Sequence, residues 1–338
     1  MKPRYVGLED RNDSMDYSKK DAKQWAREKL VGQWTTMVTP FTKDDELDEA
    51  GLKRNIDHVA SLGTKGMGFS WNMGEFWSLT HEERIRLMEL APELVKGRAM
   101  LAFQTTDTST KEIISMANKA EGLGYDFIIL GPPYIMTKNE DQVISFIRKI
   151  ADSINMGIAF YNSPQFGIVM SAKGLAKLAE IQNLIAIKEA SFNTQLSIDT
   201  HLLAGGNAVV SVPDEEIFFF EQYYNFHQQV MFANTSDWRF DTKDKHDYVK
   251  FIDLATNREF DKARELYKKV YPIKKVSRKW WSQVVGRTGG ALPVQLAKYW
   301  GELMGMAGGD ARPPVMPLTD EEKSAIKKDL VELGIIKQ

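Results

Sequence analysis

The chain has 338 residues, 43% hydrophobic and 27% charged, with a formal net charge of -2. That balance allows a large buried core and argues against a nucleic-acid binder relying on bulk charge. The lack of cysteine excludes disulfides, thiolate metal sites and cysteine nucleophiles, and no apolar stretch approaches the roughly 20 residues of a membrane span.

Residues 1–30 mix acidic and basic side chains without the apolar core of a signal peptide. They read as an N-terminal extension of a soluble, cytoplasmic protein. Short apolar runs then alternate with segments of helical period. The runs fall at 34–38, 66–69, 99–103, 127–130, 158–161, 184–187, 209–212 and 230–233. Runs so short and continuous suit parallel strands covered on both faces. Between the first two, Asp48 is placed to cap a helix carrying Leu52, Ile56, Val59 and Ala60 on one face. Thr80 and Glu83 have capping-box spacing ahead of Ile85, Leu87 and Met88, and Ile113, Met116, Ala117 and Ala120 form a further apolar stripe. Eight strands, each followed by a helix, predict an α/β fold, a (β/α)8 TIM barrel over residues 31–257, with a doubly wound open sheet as the competitor. Beyond Asn257 the strand signal ends. Phe260, Ala263, Leu266 and Val270, then Leu292, Leu296 and Leu303, then the capping-box spacing of Thr319 and Glu322, predict a helical C-terminal region over 258–338.

In such a barrel the chemistry sits at the C-terminal ends of the strands. Lys188 closes the sixth run and Tyr161 the fifth. Trp71-Asn72-Met73-Gly74-Glu75 follows the second, Pro132-Pro133-Tyr134 the fourth, Pro213-Asp214-Glu215 the seventh and Asn234-Thr235-Ser236 the eighth. Burial penalises an ammonium and lowers its pKa, yielding a neutral amine that attacks carbonyl carbon. A snorkelling or salt-bridged lysine is the plain alternative, and convergence of polar strand ends on Lys188 is what favours chemistry. The five histidines, His58, His81, His201, His227 and His246, show no ligand spacing, so no metal is expected. The basic, aromatic stretch from Lys274 to Trp281 reads as a solvated helix face, leaving neither nucleic acid nor membrane as an expected partner.

With Gly74-Glu75, Tyr161-Asn162-Ser163-Pro164 and Ile187-Lys188-Glu189-Ala190 at three strand ends, the chain resembles the dihydrodipicolinate synthase and N-acetylneuraminate lyase superfamily. The likeness runs from about Gln33 to the C-terminus. It includes Val38-Thr39-Pro40-Phe41, Leu79-Thr80-His81-Glu82-Glu83-Arg84 and the segment from Arg312 to Leu318. It implies class I aldolase chemistry, with Lys188 condensing with pyruvate or another 2-keto acid and Tyr161 relaying protons. Asn72, Met73 (through its N–H) and Gly74 fall where the keto acid carboxylate binds. The covalent imine on Lys188 takes the place of a cofactor, and a homo-oligomer, tetramer or dimer, is implied.

Departures from the family pattern narrow the substrate. Asn72 and Met73 replace two small hydroxyl residues, and Trp71 replaces the usual glycine. Ile135 falls where the synthases carry a second tyrosine, with Tyr134 one place earlier. Gln165-Phe166-Gly167 replaces an Arg-Thr-Gly that captures a distal carboxylate, so a bidentate partner is lost. A lyase or hydratase-aldolase acting on a substrate without that carboxylate is therefore expected, with 4-hydroxy-tetrahydrodipicolinate synthase proper as the alternative. Asp214-Glu215 resembles a pair that sialic acid lyases use to grip sugar hydroxyls; an acidic pair favoured by a helix N-terminus is the other reading. Trp71, Phe76, Trp77, Phe166, Phe192 and Trp238 are candidates for an apolar pocket suited to an aromatic arm, as in the hydroxybenzylidenepyruvate hydratase-aldolases. The hypothesis from outside enzymology is a barrel that keeps Lys188 but acts as a binding or regulatory protein.

Overall fold

The computed structural model describes residues 15–233 and 235–337. Residues 1–14 of the expected N-terminal extension, and Asn234 of the loop after the eighth strand, lie outside the described residues. The strands are β1 (Gly32–Thr36), β2 (Gly66–Phe69), β3 (Met100–Gln104), β4 (Phe127–Leu130), β5 (Ile158–Asn162), β6 (Leu184–Glu189), β7 (Val209–Ser211) and β8 (Val230–Phe232). The helices around them are α1 (Ala22–Lys29), α2 (Glu49–Ser61), α3 (His81–Val95), α4 (Thr110–Gly122), α5 (Glu140–Ser153), α6 (Ala172–Ala179) and α7 (Thr194–Ala204). There follow α8 (Ile217–Phe220), α9 (Ser236–Phe240), α10 (Asp247–Thr256), α11 (Phe260–Arg287), α12 (Val294–Leu303) and α13 (Asp320–Glu332).

All strands run parallel in the order β7-β6-β5-β4-β3-β2-β1-β8. The first strand pairs with the last as well as with β2, and the two edge strands of this order, β7 and β8, are bridged, so the sheet curls round on itself and the open-sheet alternative is excluded. At the seam between β7 and β8, side chains supply the bonding. Ser211 Oγ accepts the Phe232 N–H at 2.7 Å, while the Gln228 amide accepts from Val212 N at 2.7 Å and donates to Val212 O at 3.1 Å.

Strand alternation divides the core into two layers. Met67 and Phe69 of β2 face outward and pack with Leu52, Ile56, Leu87 and Met88 of the surrounding helices. Trp34, Ala102, Phe127, Ile129, Ala159, Ile185 and Phe232 face inward and fill the barrel. Gly66 and Gly68 make this interior possible. A Cβ added at Gly66 would lie 2.2 Å from the Trp34 ring, and one at Gly68 2.1 Å from the Trp71 ring. The helices form where their caps were expected. Asp48 accepts from Gly51 N at 2.7 Å, and the Thr80/Glu83 and Thr319/Glu322 pairs form complete capping boxes on α3 and α13. Among the described residues no helix is long and apolar enough to cross a membrane.

The described part of the N-terminal extension is built into the barrel floor. Tyr17 is buried, its hydroxyl donating to Asp126 O at 2.7 Å and accepting from Gly157 N at 2.8 Å, and its ring lies 4.4 Å from that of Trp25. Lys19 and Lys23 donate to Ala151 O and Ala179 O, carbonyls at the C-terminal ends of α5 and α6, and Arg27 donates to Gly206 O in the turn after α7. The last turn of a helix leaves carbonyls without intrahelical donors and carries partial negative charge, so cations are favoured at each place. Tyr17→Phe removes one hydroxyl and strands both its buried partners. We expect a loss of about 1–3 kcal/mol in urea denaturation, with the far-UV circular dichroism of the native protein unchanged.

Candidate active site

Lys188 and Tyr161 are register partners on β6 and β5, so one stretch of parallel ladder delivers both side chains to the barrel interior. The Lys188 Nζ lies 4.7 Å from the centroid of the Tyr161 ring and 4.8 Å from that of the Trp71 ring. All three residues are buried: Lys188 is 1%, Tyr161 4% and Trp71 0% exposed. Burial pushes the amine down to about 7 and raises the phenol above its ordinary value. At neutral pH the site therefore holds a substantial fraction of neutral amine beside a protonated phenol. Phe166 sets its ring edge-on to Tyr161 at 5.6 Å and lies 6.3 Å from Phe76. Gly131 makes room for Phe166, since a Cβ there would sit 2.3 Å from the ring.

The turn after β2 shows which of its expected substrate ligands are available. Asn72 to Gly74 form a short 3-10 turn, with Asn72 Oδ1 accepting from Gln104 Nε2 at 3.0 Å. Gly74 is held within the turn by its own backbone. Its N–H is engaged with Trp71 O at 2.6 Å, and its carbonyl accepts from Thr39 Oγ1 at 2.7 Å. A Cβ at Gly74 would meet Met37 O at 2.8 Å, so the residue serves close backbone approach. Met73 turns its side chain into the layer between strands and helices, consistent with a role for its backbone alone. Glu75, which sequence reasoning passed over, forms a fully buried pair with Lys298 of α12 at 2.6 Å and accepts from Arg312 N at 3.1 Å. Burial drives the Glu75 carboxyl up and the Lys298 amine down, each opposed by the charge of the other.

Asp214 and Glu215 share a lysine partner in the structure. Glu215 accepts from the Tyr248 hydroxyl at 2.9 Å and pairs with Lys274 Nζ at 2.6 Å, between the barrel and helices α10 and α11. Asp214 pairs with the same ammonium at 3.2 Å, and Glu216 joins them. The pair precedes the short α8, and a buried lysine takes up its carboxylates. Oxygens of the three lie within 4.8 Å of one another, and Lys274 bonds to all three residues. The aromatic set also divides. Trp71, Phe76 and Phe166 join Tyr161 in the interior cluster. Trp77 is partly exposed, Phe192 is exposed, and Trp238 lies behind β1, donating to Thr36 O at 3.3 Å. Tyr134 and Ile135 are both exposed on the β4–α5 loop.

A model of the dihydrodipicolinate synthetase family matches residues 29–333. The chain belongs to that family. Curated relatives include proteins named 4-hydroxy-tetrahydrodipicolinate synthase from two archaea. That of Methanothrix thermoacetophila is 27% identical over 306 residues, 90% of this chain and 97% of the relative. That of Methanococcus maripaludis is 29% identical over 311 residues, 91% of this chain and 100% of the relative. Among solved structures, a prophage protein of the dihydrodipicolinic acid synthase family from E. coli K12, in complex with pyruvate, aligns with a TM-score of 0.76 at 23% identity. It is covered over 99% of its length by 90% of this chain. The dihydrodipicolinate synthase of Thermotoga maritima aligns with a TM-score of 0.77 at 21% identity, over 91% of this chain and 100% of that one. The structural likeness shows the shared barrel, and the lyase class read from the sequence stands with the family.

Of the departures from the family pattern noted above, two lie together. Trp71 and Phe166 are both in the aromatic cluster around Tyr161, and Gln165 turns away to donate to Gly290 O at 3.1 Å. Glu75 and Lys298 tie this mouth to the C-terminal helices. Changing Glu75 to Gln or Lys298 to Met alone leaves one buried charge unmatched, and each should cost about 3–5 kcal/mol in urea denaturation. The double variant should recover most of the loss.

Proposed function

We propose that this chain is a Schiff-base-forming lyase acting on pyruvate or a related 2-keto acid whose other half lacks a carboxylate. The observation that carries the reading is the buried, low-pKa amine of Lys188 beside the Tyr161 ring at the C-terminal ends of adjacent strands. The lone pair of neutral Lys188 adds to the ketone carbon. The resulting carbinolamine loses its oxygen as water, and the iminium draws electrons from the adjacent carbon. A C–C or C–O bond beyond that carbon then breaks or forms. The Tyr161 phenol, held protonated by burial, is the group placed to deliver and recover protons. Asn72 and the Met73 N–H are the carboxylate donors in this reading; Gly74 shapes the turn.

The preference for a non-carboxylate second half rests on Phe166 and Phe76, apolar rings near the place where the family pattern expects a cation. The synthase reading predicts turnover of pyruvate with aspartate semialdehyde, and we expect little. A cytoplasmic homo-oligomer belongs to the same proposal.

Borohydride reduction in the presence of pyruvate should add permanent mass at Lys188, and Lys188→Ala should abolish it. If pyruvate and a panel of other 2-keto acids all leave the mass unchanged, the protein is a binding barrel instead. The initial trapping rate should rise with pH and level off above about 7, because only the deprotonated amine attacks. Tyr161→Phe should lower turnover by roughly 10²–10⁴-fold while leaving Lys188 able to trap, as read by comparing steady-state rates with adduct mass.

A further inference from the structure

We propose that Trp71 is a catalytic residue of the imine chemistry. Its indole face and the Tyr161 ring hold the Lys188 nitrogen between two π surfaces and stabilise the positive charge which that nitrogen carries as an iminium. The inference rests on the reading above that Lys188 forms an imine, and it goes beyond that reading by assigning an electrostatic role to a side chain expected only to line a pocket.

The geometry is two-sided. Nζ stands 4.8 Å from the Trp71 ring centroid and 4.7 Å from that of Tyr161, both within the roughly 6 Å over which a ring face attracts a cation. Both rings are fixed. Trp71 lies over Gly68, where a Cβ would come within 2.1 Å of it, and meets Phe232 edge-on at 5.8 Å and 89°. Phe166 meets Tyr161 edge-on at 5.6 Å and 75°. The site is also desolvated, with both rings and the lysine buried, and desolvation puts a cation–π contact at the upper end of its range.

The charge balance shows why the contact accelerates or deepens imine formation instead of merely packing the barrel. A neutral amine, a ketone and one proton give an iminium and one water. The C–N bond forms, the C–O bond breaks, and the positive charge ends on the nitrogen and its new carbon. Before the reaction, the reactive form of Lys188 is uncharged and gains little from the ring faces. Afterwards the nitrogen is necessarily charged and gains from both. That difference favours the adduct over the free amine, as selective stabilisation requires.

The test grades the π face without changing its shape. Tryptophan at position 71 is replaced, by stop-codon suppression, with analogues bearing one, two and three ring fluorines, which weaken the face stepwise. The probe is pyruvate, and the readout is the apparent dissociation constant of the adduct, from intact mass after borohydride reduction over a concentration series. We expect the constant to rise with each fluorine, by roughly 5- to 30-fold across the series. Trp71→Leu should match the weak end and Trp71→Phe should fall between. A flat series, with all analogues trapping like the parent, overturns the role of Trp71 and leaves the imine reading intact. A parent protein that traps neither pyruvate nor any other 2-keto acid overturns both. The analogues keep the packed volume close to that of tryptophan, so a folding defect in Trp71→Leu does not remove the test.

Discussion

Placing an amine inside a barrel of aromatic rings sets the terms for the structure around it. Water solvates an ammonium far better than a protein interior does, so the charged form of Lys188 is penalised where it stands. The carboxylates at the strand ends have partners of their own. Glu189, the next residue on β6, is held by the Ser191 N–H at 2.9 Å and by the Ser197 hydroxyl. Glu215 is taken up by Tyr248 and Lys274, and Glu75 by Lys298. These contacts secure the loops around the mouth.

The same constraint explains why large side chains and glycines alternate in the barrel wall. A lysine kept dry needs wide apolar surfaces close by, and the Trp71 indole supplies one only because β2 yields the space. Gly66 and Gly68 do so on the inward face, while Met67 and Phe69 between and after them bind the strand to its helices. Trp71 and Phe166 extend the apolar lining, and Gly68 and Gly131 leave the room their rings occupy.

Much of this was legible in the sequence, for definite reasons. Continuous apolar runs mark strands buried on both faces, and the eight runs match the eight strands, although β1 starts at Gly32, ahead of the run beginning at Trp34. Lys188 and Tyr161 stood out because a polar group closing such a run faces either the mouth or a costly interior. What the pattern did not disclose was direction. Whether Trp71 turns inward depends on which face of β2 carries the glycines, and Trp238, on α9 beyond β8, turns outward. The partners of Glu215, Tyr248 and Lys274, arrive from helices far along the chain, so the pairing left no local signal. The Glu75–Lys298 pair escaped for the same reason.

The basic N-terminal segment has a consequence for how the barrel keeps water out. Tyr17 and Trp25 close the floor, and three cations tie that closure to the surrounding helix layer. The interior above them is packed with side chains, Trp34 and Phe232 among them, so this cover lies over a solid core and not over a channel. Anchored at several separate places, it lifts only when those contacts yield together, which shields the underside of the aromatic layer from solvent.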